Sequence, residues 1–274
     1  MATKNRGVGV SNNMNKGVLH FQSLNAKSFI DRINIQTTNR NDLMKISDKE
    51  LKNGIAEKNL SGMDLRGVEL PKSLSGFSLE ETDLRGVDLS GMDLSGAILQ
   101  NSDLSGANLS GANLTKSVLD FALLIKSNLE GADLSNANMP KINLCGANLS
   151  KATLVNADMF KCIAHGAVFI DANLCSLQAE NANMKAADFT RAQMMSANFT
   201  EAKLNGATFI DANLDNAMFQ YSVIERANFT RATVSGAWFA SSWAEKADFT
   251  DVDAATSANK SLQDVIKSFG EFRK

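Results

Sequence analysis

From Leu74 to Phe249, every fifth residue of the chain is large and apolar with few exceptions, which makes 36 consecutive five-residue units. Leu79, Leu84, Leu89, Leu94, Leu99, Leu104, Leu109 and Leu114 open the series. Two places before each large residue stands a small one, usually alanine: Ala97, Ala107, Ala112, Ala132, Ala137, then nearly every unit from Ala147 to Ala247. Asp or Asn lies between the two, and Ser, Thr and Gly often fill the other places. A period of five matches neither the 3.6 of a helix nor the 2.0 of a long strand. Within one unit the small and large residues are two apart, so in an extended segment they share a side. The other three positions then face outward and are mostly polar. The chain must turn inward at every unit, in short straight segments joined by corners. Gly, Asn, Asp and Ser suit corners because they accept turn conformations or bond locally to the backbone.

A second period gives the number of walls. Phenylalanine fills the large position at 169, 189, 209, 229 and 249, and again at 199, 219 and 239, each series recurring every 20 residues. Four units per turn predict a four-sided coil with equivalent residues stacked above one another and the two Phe series on opposite walls. The other walls carry slimmer residues: Leu174, Met194, Leu214 and Val234 on one, and Ala164, Met184, Leu204, Ile224 and Ala244 on the other. Opposed large and small layers can fill a narrow interior without voids. Nine such coils, at a spacing of about 4.8 Å, give a rod of roughly 43 Å.

These units resemble the pentapeptide-repeat family, whose A(D/N)LXX consensus matches Ala-Asn-Leu-Ser-Gly at 107–111 and Ala-Asp-Leu-Ser-Asn at 132–136. The resemblance covers about residues 58–253 and implies an all-β solenoid, a right-handed quadrilateral parallel β-helix. Leu60, Leu65 and Leu70 fit the same pattern one residue out of phase. The slip falls in Leu70-Pro71-Lys72-Ser73-Leu74 and predicts a shortened corner between a first coil and the regular array.

An open β-coil exposes unpaired backbone at both ends and needs caps. Over residues 257–274, Leu262, Val265, Ile266, Phe269 and Phe272 have amphipathic-helix spacing, and Ser261 with Asp264 is an N-cap signal. This predicts a C-terminal capping helix, with a dimerisation helix as a compatible alternative. At 47–57, Ser47-Asp48-Lys49-Glu50 reads as a capping box and Gly54 as a stop, so a short helix covers the first coil. The repeat array is assigned to residues 58–256. Residues 1–46 are rich in Asn, Ser and Lys, and residues 1–30 contain Lys4, Arg6, Lys16 and Lys27 but no acid. Such a leader buries little, and its start is expected to be disordered. It is similar in composition to the uncleaved export signals of bacterial type III effectors, which implies a bacterial protein that stays in the cytoplasm or is delivered into host cells.

Composition removes several functional classes. The chain holds 28 Lys+Arg against 30 Asp+Glu, without the basic excess of a polyanion-wrapping protein, so no direct nucleic-acid binding is expected. Three cysteines make no fully paired framework. The densest apolar run, Val118 to Ile125, is eight residues long and contains Asp120, too short for a transmembrane helix, and no signal peptide is expected. Catalysis needs groups that converge in a cleft. The histidines are His20 in the leader and His165 at an outward position, so no Ser-His-Asp arrangement arises. Cys145 and Cys175 point outward on different sides and Cys162 replaces an inward alanine, which yields no metal cluster. No phosphate-cradling Gly motif is present. The expectation is a non-enzyme without metal or cofactor.

Apolar residues in the polar slot are then informative: Ile98, Val118, Leu123, Ile163, Val168, Met218, Val223, Trp238 and Trp243. All but Val168 fall on two adjacent sides, and Phe121, Tyr221 and Ile125 take further outward places there. Two candidate partner-binding clusters result, Ile98/Val118/Phe121/Leu123/Ile125 and Met218/Tyr221/Val223/Trp238/Trp243. Exposed apolar patches rich in Trp, Tyr and Met mark interfaces. The expected partner is a protein, with a homodimer through the C-terminal end among the possibilities. The alternative is electrostatic. Residues 54–256 carry 15 basic and 24 acidic side chains, with Glu80, Glu81, Asp83, Asp88, Asp93 and Asp103 in the early coils. The family resemblance implies acidic rods that imitate duplex DNA and inhibit or protect gyrase. Against it, Lys116, Lys126, Lys141, Lys151, Lys161, Arg191, Arg226 and Arg231 interrupt the outward corners.

Overall fold

In the computed structural model, which describes residues 46–252 and 260–269, the backbone returns to the same wall every 20 residues. Parallel bridges join Asp88 to Asn108, Asn108 to Asn128 and Asn128 to Asn148, and three further ladders do the same from Ser73, Ser78 and Asp83. We number the walls by their inward large residues: wall I from Leu74 to Val234, wall II from Leu79 to Phe239, wall III from Leu84 to Ala244, and wall IV from Leu89 to Phe249. The protein is a quadrilateral β-helix. Its walls are narrower than strands in the usual sense, because each unit contributes one bridged residue per wall.

The pentad follows from this geometry. The large residue donates its N–H to the coil above, as Leu109 does to Asn128 O at 2.6 Å, while Asn128 N–H donates back to Ala107 O at 3.0 Å. A turn bond from each small residue, such as Ala107 N–H to Leu104 O at 3.0 Å, closes the corner. The last residue of each unit takes a left-handed backbone, φ 68° at Gly106 and 67° at Gly131, which glycine adopts without strain. Where the inward small residue is Ser or Thr, its hydroxyl donates to the carbonyl three residues back, as in Ser102 to Leu99 O at 2.6 Å and Ser222 to Phe219 O at 2.7 Å. A buried hydroxyl is thus satisfied without leaving its own corner.

The interior is a continuous apolar column. Phe169, Phe189, Phe209, Phe229 and Phe249 stack on wall IV with ring centroids 4.6–5.0 Å apart. Phe199, Phe219 and Phe239 stack on wall II at 4.8–5.4 Å. The two columns meet edge to face across the interior, Phe189 to Phe199 at 6.0 Å and Phe229 to Phe239 at 5.8 Å, an arrangement favoured by the ring quadrupole.

The slip near Pro71 shortens the first coil. Asn59 pairs with Ser78 and Asp64 with Asp83, a return of 19 residues against 20 from Ser73 onward. Leu70, beside it, is only half-buried. Helix α1, Asp48–Glu57, starts at a capping box in which Ser47 N–H donates to Glu50 Oε2 at 3.0 Å and Glu50 N–H donates to Ser47 Oγ. The helix does not stop at Gly54, as the glycine suggested, but runs to Glu57 with Lys58 in the left-handed cap. Gly54 instead sits against the first coil, where a Cβ would lie 2.6 Å from Asn59 O and 2.8 Å from Leu60 Cδ2.

Helix α2, Lys260–Phe269, buries Leu262, Val265 and Ile266 against the hydrophobic core. Ser261 lies inside its first turn rather than capping it, and its Oγ accepts from Phe239 N–H at 3.1 Å. The leader through residue 45 and Phe272 lie outside the described residues.

Truncating Phe209 to Ala, in the middle of a stacked column, is expected to cost about 3–5 kcal/mol in denaturant unfolding. Phe121→Ala, at an exposed corner, is expected to cost less than about 1 kcal/mol. Equal losses would contradict the assignment of inside and outside.

Candidate docking surface

The slot between small and large residues has a defined chemical task. Its Asp or Asn accepts the N–H two residues on: Asn108 from Ser110 at 3.2 Å, Asp133 from Ser135 at 2.9 Å, Asp188 from Thr190 at 2.9 Å. On wall IV the amides also bond between coils, Asn128 to Asn108 at 3.3 Å and Asn148 to Asn128 at 3.2 Å. An apolar residue in this slot supplies neither bond, so its presence is not explained by the fold.

The two predicted clusters both lie about the edge between walls II and III. Near the C-terminal end, Met218 bridges Trp238 on wall II and Val223 bridges Trp243 on wall III, with Tyr221 at the corner between them. Tyr221, Trp238 and Trp243 are 65%, 54% and 53% exposed. In the first half, Ile98 bridges Val118 on wall II and Leu123 bridges Asn143 on wall III. Phe121 is exposed at the corner, and Ile125 flanks Leu123. The slot is less open than sequence spacing suggests. Ile98, Val118, Leu123, Ile125, Met218 and Val223 are only half-exposed, because the coils above and below cover their flanks. Phe121 and Tyr221 occupy left-handed corners, φ 58° and 56°, a conformation that costs a non-glycine residue roughly 1–2 kcal/mol.

Charges are arranged in alternation. On the first coils Arg66 bridges Asp64 at 2.6 Å and Asp83 at 3.4 Å, and Arg85 bridges Asp83 at 2.6 Å and Asp103 at 3.7 Å. Asp83 and Asp103, two acids of the early acidic cluster, are therefore buried beneath arginines. The corner column after wall IV reads Lys151, Asp171, Arg191, Asp211, Arg231, Asp251. Arg191 grips Asp171 with two bonds of 2.7 and 2.8 Å, and Arg231 grips Asp211 with two of 2.7 Å. These guanidinium bonds hold the carboxyls of Asp171 and Asp211 below the usual carboxylate range.

Cys162 is enclosed, and burial pushes its thiol strongly upward, away from reactivity. Among the described residues no group of three or more His, Cys, Asp or Glu is placed to hold a metal, and no helix is long and apolar enough to cross a membrane.

A family profile of pentapeptide repeats matches the chain in 8 copies, at residues 73–101, 102–139, 127–163, 192–231 and 209–242. The chain is a pentapeptide-repeat protein. Similar solved structures include HetL, a pentapeptide-repeat protein involved in heterocyst differentiation regulation in the cyanobacterium Nostoc sp. strain PCC 7120. It is 24% identical, with 76% of this chain and 94% of that chain covered and a TM-score of 0.39. QnrB1, a plasmid-mediated fluoroquinolone resistance protein, is 19% identical over 69% of this chain and 99% of its own, with a TM-score of 0.45. A pentapeptide-repeat protein of the Arabidopsis thaliana thylakoid lumen is 34% identical over 39% and 68%, with a TM-score of 0.28. No curated protein matches.

Within this pentapeptide-repeat frame, two features of the surface escape a search of the polar slot alone. Phe160 is an outward corner residue one place after a large residue, and Lys141 and Lys161 lie over aromatic rings. Lys141 Nζ is 4.6 Å from the Phe121 ring centroid and Lys161 Nζ is 4.9 Å from that of Phe160. Screening the corner slots for aromatics next to lysine would have found both.

The Arg–Asp corner bonds give a pH signature. Because the folded carboxyls sit below their unfolded value, their contribution is present above the unfolded pKa and lost as pH falls through the folded one. The melting-temperature gap between wild type and Arg191→Gln/Arg231→Gln should be open at neutral pH and shrink below about pH 4. A gap unchanged at lower pH would assign the arginines a purely packing role.

Proposed function

We propose that the protein is a non-catalytic docking scaffold that captures protein partners along the edge between walls II and III. The observation that carries this reading is the exposure of Tyr221, Trp238 and Trp243 on adjoining walls of the last coils. Repeat chemistry calls for small polar residues at these places. The tyrosine also sits where the backbone favours glycine, so the fold gains nothing from its ring. Trp and Tyr are the residues that most often dominate binding energy at interfaces. Helix α2 acts as the cap of the last coil: Ser261 Oγ takes the Phe239 N–H, while Leu262, Val265 and Ile266 cover the column. A second copy meeting the same aromatic edge would make a homodimer.

The acid excess of the array supports a second reading, a DNA-mimicking inhibitor or protector of a topoisomerase such as gyrase. The arginines over Asp83 and Asp103 and the lysine-bearing corners weigh against it. A gyrase supercoiling assay at micromolar protein is expected to show no effect, and inhibition or quinolone protection would favour mimicry.

Sedimentation velocity tests the first reading on the full chain. Tyr221→Gly and Trp238→Ser should each reduce self-association, or capture of a purified partner, by about tenfold or more without lowering the melting temperature. Tyr221→Gly also relieves the left-handed strain, so lost stability in that variant would mark the ring as structural. Deleting residues 260–274 should instead produce concentration-dependent end-to-end oligomers. A truncated chain that stays in its original state would remove the capping role.

A further inference from the structure

The first-half cluster differs in charge from the C-terminal one. Four stacked segments run from the edge across wall III: Phe121–Lys126, 141–146, 161–166 and 181–186. They are consecutive coils, joined by the bridges Leu123–Asn143, Asn143–Ile163 and Ile163–Asn183. Together they hold Lys126, Lys141, Lys161, Lys185 and His165 and no acid, in an array otherwise rich in acids. The coils on either side restore the acid at Asp103 and Glu201. All four lysines are exposed, and among the described residues none of them makes an ion pair. Between them lie the exposed rings and chains of Phe121 and Ile163 and the half-exposed Leu123, Ile125 and Phe160. Past the edge, on wall II, acids reappear but are engaged. Asp120 accepts from Asn138 at 3.1 Å and also feels the charge of Lys141, and Asp158 accepts the Phe160 N–H at 2.8 Å.

We infer that this basic, apolar window on wall III binds an acidic segment of a partner protein that carries aliphatic or aromatic side chains between its carboxylates. The inference rests on the docking reading above and names the chemistry of one partner. The lysines answer carboxylates, and Phe121, Leu123, Ile125 and Ile163 answer apolar side chains, over about 14 Å of stacked coils. Both parts are needed, because exposed charges alone give steering and little affinity. A membrane surface or a nucleic acid fits less well. The remainder of the array is acidic, with 24 acidic and 15 basic residues over 54–256, and a polyanion approaching along the rod would meet repulsion on both sides of the window.

The test uses the full chain immobilised against a phage-displayed library of random 12-residue peptides, about 40 Å when extended and so long enough to cross the window, followed by anisotropy with the enriched peptides labelled by fluorescein. The expected result is enrichment of sequences combining Asp or Glu with Leu, Ile, Phe or Trp. Their affinity should fall about tenfold or more in Lys141→Glu/Lys161→Glu, and also with added salt, while circular dichroism shows the fold intact. Met195→Ser, an exposed apolar residue on wall I outside both clusters, should leave it unchanged. Enriched peptides without acids, equal binding by the charge-reversed variant, or no enrichment at all would overturn the inference. So would binding only to phosphatidylserine vesicles or to a single-stranded oligonucleotide run in parallel. Loss of peptide binding in Trp238→Ser would move the site to the C-terminal cluster and leave the docking reading standing.

Discussion

Everything in this structure depends on the backbone returning to hydrogen-bond distance of itself after twenty residues. Each large residue donates its N–H to the next coil, and the residue before it accepts and donates in turn, as Leu109, Asn128 and Ala107 do. Because the return is the same at every level from Ser73 onward, an inward side chain there meets its equivalent above and below. Bulk is then tolerated only in register, which is why the phenylalanines form two unbroken columns facing each other while walls I and III stay slim. A column of equivalent rings is the low-energy answer to a square interior too narrow for independent packing choices.

The same return confines chemical freedom to the outside. Asp and Asn hold the slot because one carboxylate or amide oxygen there closes the corner beside it, and amides can bond again to the next coil. Arginine and aspartate alternate in the corner column after wall IV because identical charges stacked one coil apart would repel. What looks like interruption of an acidic surface is therefore partly the means by which the acids are tolerated. Asp83 and Asp103 are buried because Arg66 and Arg85 come with them.

Much of this was legible in the sequence. The twenty-residue spacing of Phe169, Phe189 and Phe209 is what a four-walled coil of five-residue units predicts, and the shift between Leu70 and Leu74 marks the shortened first turn. Capping details were less legible. Gly54 reads as a helix stop, yet its role is to let α1 approach Leu60, a contact between segments that local pattern does not encode. Ser261 reads as a helix cap from local pattern, and its bond to Phe239, twenty-two residues away, is not encoded there. The depth of the polar slot was also hidden, because coverage of Ile98 or Met218 comes from neighbours a full turn distant. Lys141 and Lys161 could be placed at corners from spacing, but their position over Phe121 and Phe160 depends on rotamers.

In a solenoid of this kind each coil contacts only its neighbours, so stability is nearly a sum over repeats and a surface exception at one level costs little elsewhere. That separates the two demands on the sequence. Inward slots answer to the fold and are almost uniform, so they carry no information about partners. Outward departures answer to something else, and the aromatic corners share one edge: Phe121 and Tyr221 take left-handed corners there, five coils apart, each with apolar residues on both adjoining walls. Random drift of surface residues would distribute such departures over four edges. Their alignment on one edge, with lysines around the first cluster and tryptophans around the second, is what a ligand spanning several coils, or two ligands approaching from one side, would require of a flat-walled coil.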